Sequence, residues 1–317
     1  MNSSKFDVIV VGELNVDLIL DGLSGKMPQL GKEIMADSMS LTLGSSSAIF
    51  ASNLSMLGTK VMFCGLIGDD SFGQLVMDSL EKSGVDTTGI MITDKYVTGI
   101  TVACSYGNQR AMVTHGGAME YLRLDDIPAD RIRQGRHLHL SSVFLQKIVT
   151  QDLVGLFSRA KKEGLTTSFD PQWDPDEKWD LDLQALLPLV DLFLPNIEEI
   201  KHLTGTDSLD EAMRAVSGFS NIVVVKDGVN GAHLWSGGKK VHQPAFLNPG
   251  VVDTIGAGDS FNAGFIHRFV SGRPLHECLE FAALTGAIST CKPGGTAAFQ
   301  DLSIAKQIAR DVFQKKL

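Results

Sequence analysis

Residues 251–265 read "VVDTIGAGDSFNAGF". Two carboxylates, Asp253 and Asp259, flank a segment of small residues that leads into an apolar, helix-like sequence. Glycine and alanine let the backbone approach a ligand closely, and the first amide N–H groups of a helix have no partner within the helix. Because the helix dipole adds positive charge there, the stretch is typical of a site that binds anions, phosphate above all.

Asp259 would lie beside a phosphate bound in this way. A carboxylate in that place is electrostatically unfavourable unless it has a function, and the obvious one is to accept the proton of a hydroxyl that attacks the phosphate. Asp253 could hold the same hydroxyl-bearing substrate. The alternative is structural, because Asp and Ser are good helix caps and Gly-Ala-Gly can be a tight turn. For this motif alone capping is the default interpretation, because short glycine motifs are weak evidence.

The composition excludes several classes of protein. The chain has 317 residues and a net charge of −9, which argues against nucleic acid and anionic membranes as partners. The four cysteines have no metal-ligand spacing, so we interpret them as reduced core residues of a cytoplasmic protein. The N-terminus becomes acidic straight after a short apolar run, unlike a signal peptide, and no apolar stretch approaches membrane-spanning length.

Short β-branched runs alternate with helix-like segments along most of the chain, as in "FDVIVVG" followed by "SSAIFASNLSML". This pattern predicts an α/β fold with a mostly parallel sheet covered by helices on both faces. We expect one domain over residues 1–317. Two regions, about 14–42 and 96–115, instead alternate apolar and polar residues, the second around "GNQ". They predict short strands outside the main sheet that form a small β lid over the active site.

Common phosphate-binding and catalytic motifs are absent from the sequence. There is no GxxxxGK[ST], and the first strand carries one glycine in "VVGELNVD" instead of GxGxxG. There is also no HExxH and no GxSxG. The sequence therefore excludes a P-loop protein and disfavours a dinucleotide site.

The opening stretch resembles the second signature of the ribokinase-like family, also called the PfkB family of carbohydrate kinases, which centres on D-T-x-G-A-G-D. Other segments resemble the remaining motifs in the family's order. They are "VGELNVD", "GSSSAIFASNLSMLG", "GLIGDDSFG", "SFDPQW", "LPNIEEIKHLTG" and "VVVKDGVNGAHLW". The resemblance spans nearly the whole chain. It implies a central α/β sandwich with a small β lid, and transfer of the γ-phosphoryl group of ATP to an alcohol, usually on a sugar, with Mg²⁺.

The resemblance implies a role for each matching residue. Asp259 would be the base, and the backbone N–H groups of Gly256, Ala257 and Gly258 would form an anion hole for the transferring phosphoryl group. The residues implied at the substrate are Asn15, Asp17, Gly44, Ser45 and Asp253. The residues implied at the nucleotide are Asn196, Lys226, Asp227, Gly228 and Gly231. Glu199, the partner of Asn196 in N-x-x-E, would hold Mg²⁺ through water.

Several recognition positions depart from the family pattern. Ser45 stands where a second glycine is common, and Ile49 and Met119 stand where asparagines are expected. Gln172 and Trp173 replace a frequent Asn-Arg. We therefore expect an altered substrate pocket and assign no particular sugar. For Trp173, packing in the core is favoured over stacking on a sugar or base.

Other polar residues have two interpretations each. Lys226 could supply positive charge to the phosphates or be a solvated surface lysine. Arg110 in the lid could reach a substrate carboxylate or phosphate, although a solvated hairpin arginine is the default. His137 and His139 share one face of a strand, and buried structural histidines are favoured over a metal pair because no third ligand is apparent.

The leading hypothesis is an ATP-dependent kinase for a sugar or sugar-like molecule. One alternative is a nucleoside kinase of the same family, which needs a pocket that accepts a base, and the loss of polar groups at Ile49 and Met119 would suit such a pocket. Another is a catalytically inactive ligand sensor, against which the intact Asp259 argues. The resemblance also implies a homodimer through the lid. It further implies a monovalent cation such as K⁺, bound by backbone near Asp253 and by the loop "CKPGGTAAF".

Overall fold

The computed structural model describes residues 4–23, 25, 27–106 and 109–317. Within these ranges nine strands form the main sheet, in which β12 is antiparallel to both of its neighbours and all other pairs are parallel. From one edge to the other the strands are β13 (Lys239–Gln243), β12 (Ala232–Ser236), β11 (Ile222–Lys226), β10 (Leu192–Phe193), β9 (Thr166–Asp170), β8 (His137–Ser141), β1 (Val8–Val11), β4 (Val61–Gly68) and β5 (Asp86–Thr93).

The hydrophobic core lies on both faces of this sheet. Alternate side chains of β1 enter separate clusters, with Val8 and Val10 on one face and Ile9 and Val11 on the other. The helices are α1 (Ser46–Met56), α2 (Ser71–Lys82), α3 (Ala129–Ile132), α4 (Leu153–Lys162), α5 (Leu183–Leu186), α6 (Ile197–Thr204), α7 (Leu209–Val216), α8 (Ala257–Val270), α9 (Leu275–Ser289) and α10 (Leu302–Asp311). The predicted α/β sandwich is confirmed.

A second sheet, here called the lid sheet, stands apart from the main one. Its strands are, in order, β3 (Ser38–Leu43), β2 (Asn15–Asp21), β6 (Gly99–Tyr106) and β7 (Gln109–His115). They come from the two regions predicted to lie outside the main sheet. The turn of the predicted "GNQ" hairpin falls on residues 107–108, outside the described residues, and β6 and β7 pair antiparallel on either side of it. The single-domain assignment stays a prediction.

The register gives the lid sheet one polar and one apolar face, because residues paired across neighbouring strands point to the same side. The polar row includes Asp17, Thr42, Thr101 and Thr114, and the apolar row includes Leu18, Leu41, Val102 and Val113. Arg110 lies on the polar side and donates a hydrogen bond to Asp253, just before α8. The polar face of the lid sheet is therefore turned toward the start of α8.

Candidate active site

Helix α8 begins without a side-chain cap. Its N-cap residue is Gly256, whose φ of 71° is in the left-handed region. A Cβ on Gly256 would lie 2.5 Å from the Cα of Gly295, so this turn requires glycine for both conformation and space. Asp259 lies in the first turn of the helix but makes no cap bond. The capping interpretation of Asp259 is therefore wrong.

The predicted anion hole lies in this first turn. The first intrahelical bond joins the Ser260 N–H to the carbonyl of Gly256 at 2.8 Å. Ahead of it, the N–H of Ala257 makes only a 3.3 Å turn bond to Thr254, and the N–H of Gly258 precedes the helical ladder. Amide groups in this position are the ones that bind anions at a helix N-terminus.

Asp259 is buried, with 6% of its surface exposed. Its Oδ1 accepts a 3.0 Å hydrogen bond from Nε2 of Gln172. Burial raises the pKa of Asp259 well above its usual range, and the negative charge of Asp170 adds to this, whereas Lys226 opposes it. The result is a carboxyl group with an increased affinity for a proton, as a general base requires.

Lys226 is an interior cation. It ends β11, its side chain is 13% exposed, and its Nζ lies 2.5 Å from Oδ2 of Asp170. Burial disfavours the charged form, but Asp170 and Glu199 raise the pKa of Lys226. The Nζ also lies 3.8 Å from the position of a Cβ on Gly258, in the first turn of α8. The interpretation of Lys226 as a solvated surface lysine is wrong.

Asp170 joins these groups, and sequence reasoning did not select it. It ends β9 and is fully buried. Besides Lys226, its carboxylate accepts hydrogen bonds from the side chains of Asn262 and Gln172. A carboxylate at the end of a predicted parallel strand, as in "TTSFDP", was the signal that could have identified it, because ligands bind at that edge of a parallel sheet.

Asn196 and Glu199 begin α6 as a capping box. Oδ1 of Asn196 accepts from the N–H of Glu199 at 2.9 Å, and Glu199 accepts from the N–H and Nδ2 of Asn196 at 2.8 and 2.6 Å. Burial and the charge of Asp170 raise the pKa of Glu199 to about 7, against the effect of Lys226. A bridge between Asn196 and Lys226 brings this helix start beside the end of β11.

The predicted nucleotide turn follows directly. Asp227 and Gly228 lead from β11 into one short helical turn, and Gly231 precedes β12. The N–H of Asp227 bonds to the carbonyl of Gly231 at 2.8 Å, which closes the turn. Asp227 also lies 3.6 Å from Nε2 of His233.

The lid sheet brings two of the predicted substrate residues together. Nδ2 of Asn15 donates to Thr101 at 2.9 Å, and the buried Oδ1 of Asn15 has no partner among the described residues. Burial raises the pKa of Asp17 to about 6, against a hydrogen bond from Asn15 and the charge of Arg110. Asp17 packs against Gly44, where a Cβ would collide with its carboxylate.

Asp253 is bound from three sides. Its carboxylate accepts 2.8 Å hydrogen bonds from Nη2 of Arg110 and from the N–H groups of Ile255 and Gly294. Burial opposes ionisation of Asp253, but these backbone bonds and Arg110 hold its pKa below the usual value. Arg110 is therefore ion-paired with Asp253 and is more than a solvated hairpin residue, although its position is an exposed one.

Ser45 caps α1 and contacts a buried acid that sequence reasoning missed. The Ser45 hydroxyl accepts from the N–H of Ala48 at 2.9 Å and donates to the Glu13 carbonyl at 2.6 Å. The Glu13 carboxylate accepts hydrogen bonds from Ser45 and Ser47, and burial raises its pKa to about 7. Its signal was an acidic residue directly after the first apolar strand, in "VVGEL".

The departures from the family pattern have different environments. Ile49 and Met119 are buried, and Ile49 packs against Gly295. One helical turn later, Nδ2 of Asn53 donates to the Gly295 carbonyl at 2.9 Å. Trp173 is 47% exposed, so the prediction that it packs in the core is wrong.

The two histidines of β8 are structural, as favoured by the sequence. His137 and His139 are fully buried and both bond to the hydroxyl of Ser168 at 2.7 Å. Across the part of the chain that the structure describes, no group of three or more His, Cys, Asp or Glu could hold a metal ion. Nor do the described helices include one that is long and apolar enough to cross a membrane.

The fold places the chain among proteins of ribokinase-like architecture. The model of the pfkB family carbohydrate kinases matches residues 5–302, and the chain belongs to this family. It is therefore a carbohydrate kinase, which confirms the family, the fold and the class of enzyme predicted from the motifs.

The relatives are named sugar kinases of similar length. An ATP-dependent ribose-1-phosphate kinase of Halopiger xanaduensis is 30% identical, over 92% of this chain and 94% of that protein. Fructokinase-2 of Oryza sativa subsp. japonica is 26% identical, over 95% and 93%. Among solved structures, Arabidopsis thaliana ribokinase complexed with ribose and ATP superposes with a TM-score of 0.82 at 26% identity, covering 95% of this chain and 99% of that one.

Proposed function

We propose that this enzyme transfers the γ-phosphoryl group of ATP to a hydroxyl of a sugar-like molecule held between the lid sheet and the start of α8. One observation carries the assignment of the site. Asp259 is buried beside a helix N-terminus that no side chain caps, and the cation of Lys226 lies next to the same turn. An ATP-using enzyme of this class is expected in the cytoplasm.

The acceptor is held by the polar side of the lid. Asn15 offers an amide oxygen that has no partner within the described ranges, and Asp17 offers a carboxylate. Both groups suit the hydroxyl groups of a sugar. Gly44 and Ser45 lie beside them at the start of α1. Asp253 faces the site from the α8 side and accepts a hydrogen bond from Arg110.

Asp259 takes the proton of the attacking hydroxyl. Burial raises the pKa of Asp259, which makes its ionised carboxylate a stronger base. The carboxyl group must be ionised before it can accept the proton. The N–H groups of Gly256, Ala257 and Gly258 bind the transferring phosphoryl group where negative charge develops. Lys226 adds positive charge at the same point.

Magnesium suits this site best through water. Both carboxylate oxygens of Glu199 already accept hydrogen bonds from Asn196. Mg²⁺ keeps several waters and is commonly held by one or two carboxylates together with substrate phosphates. Asn196 and Glu199 would therefore orient its waters, while Asp227, Gly228 and Gly231 form the turn beside the nucleotide. Bound Mg²⁺ supplies charge that neutralises the phosphates.

A monovalent cation such as K⁺ is a finer part of the proposal. The loop after α9 is tied to Asp253 through the N–H of Gly294 and to α1 through Asn53 and the Gly295 carbonyl. A cation there would stabilise charge beside the anion hole. The test compares rates in potassium and sodium chloride at equal ionic strength, and equal rates would remove K⁺ from the proposal.

The lid also supports a homodimer. Its apolar face exposes Leu41 at 39%, Met39 at 67% and Val113 at 73%, and exposed apolar patches of this kind mark protein–protein contacts. Light scattering at micromolar concentration should give twice the chain mass. The double variant Leu41→Lys with Val113→Lys should shift the mass to one chain. A wild-type monomer would contradict the dimer.

A nucleoside is the second candidate acceptor. The half-exposed Trp173 lies next to Gln172, which contacts Asp259, and an exposed indole face is a surface on which a base can stack. The exposed indole therefore favours a nucleoside as the second candidate acceptor.

A coupled ADP-release screen over sugars, sugar acids, sugar phosphates, polyols and nucleosides tests the proposed function. Asp259→Asn protein serves as the blank. We expect one acceptor class to raise ADP release above the rate with ATP alone, in the wild type only. Stabilisation by a ligand in thermal melts, with no turnover on any alcohol, would instead establish a ligand sensor.

A further inference from the structure

Gln172 holds an uncommon backbone conformation at the centre of the site. It follows Pro171 at the carboxyl end of β9, and its φ of 60° lies in the left-handed region, which residues with side chains seldom adopt. Its N–H donates to Oδ1 of Asp170 at 3.3 Å. Such conformations persist where the surrounding structure enforces them, and they cluster at functional sites.

The side chain of Gln172 bridges the two buried carboxylates. Its Nε2 donates to Oδ2 of Asp170 at 3.2 Å and to Oδ1 of Asp259 at 3.0 Å. An amide nitrogen carries two hydrogens and cannot accept, so each facing oxygen must act as the acceptor. Oδ1 of Asp259 is therefore held by the amide, and Oδ2 is the oxygen that can take up a proton without competing with this bond.

We propose that Gln172 is a positioning residue for phosphoryl transfer: its amide orients Asp259 so that Oδ2 receives the proton of the acceptor hydroxyl. This inference rests on the proposed role of Asp259 as the base. The proton moves from the hydroxyl oxygen to Oδ2 of Asp259. At the same time the hydroxyl oxygen forms its bond to the γ-phosphorus, and the bond between the γ-phosphorus and the bridging oxygen of the β-phosphate breaks, so that ADP leaves. Gln172 itself exchanges no proton.

The bridge is needed because of the charges around Asp259. Asp170 on β9 and Glu13 after β1 are negative neighbours that favour the protonated form of Asp259, and Lys226 on β11 is the opposing cation. The hydrogen bond from Gln172 acts with Lys226 and lowers the pKa of Asp259. Without the amide the carboxylate would lose its fixed orientation and bind a proton more tightly.

Two variants separate positioning from a merely structural role. Gln172→Met keeps the unbranched stem but removes both donors. Gln172→Asn keeps the amide, and asparagine enters the left-handed region readily. The control, Gln151→Met, makes the same chemical change at an exposed position. Rates are measured with ATP and the acceptor that gives the highest rate in the ADP-release screen, over a range of pH.

We expect kcat of Gln172→Met to fall by about 10²-fold, the loss typical of a small misplacement of a catalytic group. KM for ATP and for the acceptor should stay within roughly threefold, since neither substrate is held by this amide. The acid limb of the kcat profile should move to higher pH. Gln172→Asn should recover most of the rate, and Gln151→Met should equal the wild type.

Full kcat in Gln172→Met would overturn the inference. So would a loss of rate that follows a lower melting temperature, with the acid limb unmoved, because a structural role predicts that pattern. The Asp259→Asn variant distinguishes failure of the base assignment from failure of the role of Gln172. If Asp259→Asn stays active, the base assignment itself fails. If Asp259→Asn is inactive while Gln172→Met is normal, only the role of Gln172 fails.

Discussion

Helices α6 and α8 both begin at the candidate site, and they use an acidic residue in the first turn in opposite ways. At the start of α6, Asn196 and Glu199 bond to each other's backbone N–H groups, which satisfies donors that the helix leaves free. At the start of α8, Gly256 provides no side chain, and Asp259 turns to Gln172 instead of to the helix backbone.

The difference separates a helix start built for stability from one left open for a ligand. The capping box of α6 pairs its own donors and acceptors, so the Glu199 carboxylate orients solvent or metal only through the lone pairs that its bonds to Asn196 leave free. The N–H groups of the first turn of α8 stay available to an anion. Lys226 connects the starts of α6 and α8. Its backbone forms a β-bridge with Asn196, and its side-chain Nζ lies close to Gly258.

The largest loss of rate is expected when Asp259, the acidic residue in the first turn of α8, is changed. Asp259→Asn keeps the acceptor oxygen for Gln172 but cannot take a proton at neutral pH. General-base catalysis typically contributes about 10²–10⁴-fold, and kcat should fall by that order. Nucleotide affinity should hold or improve, because a negative charge beside the phosphates is lost. A folded, ATP-binding variant that retains more than about a tenth of the rate would defeat the assignment.

Removing the cation between the two starts should damage the fold. Lys226→Met leaves the fully buried Asp170 without its ion-pair partner. Breaking a buried pair in this way destabilises proteins by about 3–5 kcal/mol, to be measured by urea unfolding. The double variant Lys226→Met with Asp170→Asn should recover a large part of that loss. Unchanged stability in the single variant would mean that the pair is not a buried one.

Opening the capped start should have a smaller effect on stability. Asn196→Ala removes the N-cap of α6, which costs about 1 kcal/mol. It should also raise the Mg²⁺ concentration needed for half-maximal rate while leaving KM for the acceptor unchanged. Ser208→Ala, at the N-cap of α7, is the matched control, with a similar stability loss and an unaltered Mg²⁺ response. Identical Mg²⁺ curves for both variants would leave Asn196 as a cap and nothing more.

The smallest effect is expected at the acid that precedes the open start. Asp253→Asn weakens the contact with Arg110, whose side chain is 27% exposed. The variant should raise KM for the acceptor by roughly tenfold or less, about 1 kcal/mol, with little change in kcat. A large loss of kcat at unchanged KM would place Asp253 in the chemical step instead.

Local sequence predicted the fold well where strands are buried on both faces. Strand β4 is a continuous apolar run, whereas β13, "KKVHQ", is a largely exposed edge strand with no apolar pattern. Long-range contacts could not be predicted in the same way. Asp170 and Lys226 lie 56 residues apart and meet because β9, β10 and β11 are neighbours. No local signal in the sequence predicts the left-handed backbone conformation of Gln172. The next residue, Trp173, is exposed, which the sequence also did not predict.

The most direct test compares the melting temperatures of the wild type and Asp259→Asn over a range of pH. It asks whether Asp259 leaves the start of α8 uncapped, in contrast to Glu199 at the start of α6. The pKa of Asp259 is raised in the folded protein above its ordinary 3.8, so the folded state binds more protons than the unfolded state between those two values. Stability therefore falls as pH rises through that window, and the ionised carboxylate remains unfavourable above it. Asparagine carries no such penalty. We predict that Asp259→Asn melts above the wild type at alkaline pH and that the difference shrinks as the pH is lowered toward the ordinary carboxyl pKa. A variant that melts below the wild type at every pH would show that Asp259 stabilises the helix, and would contradict the account.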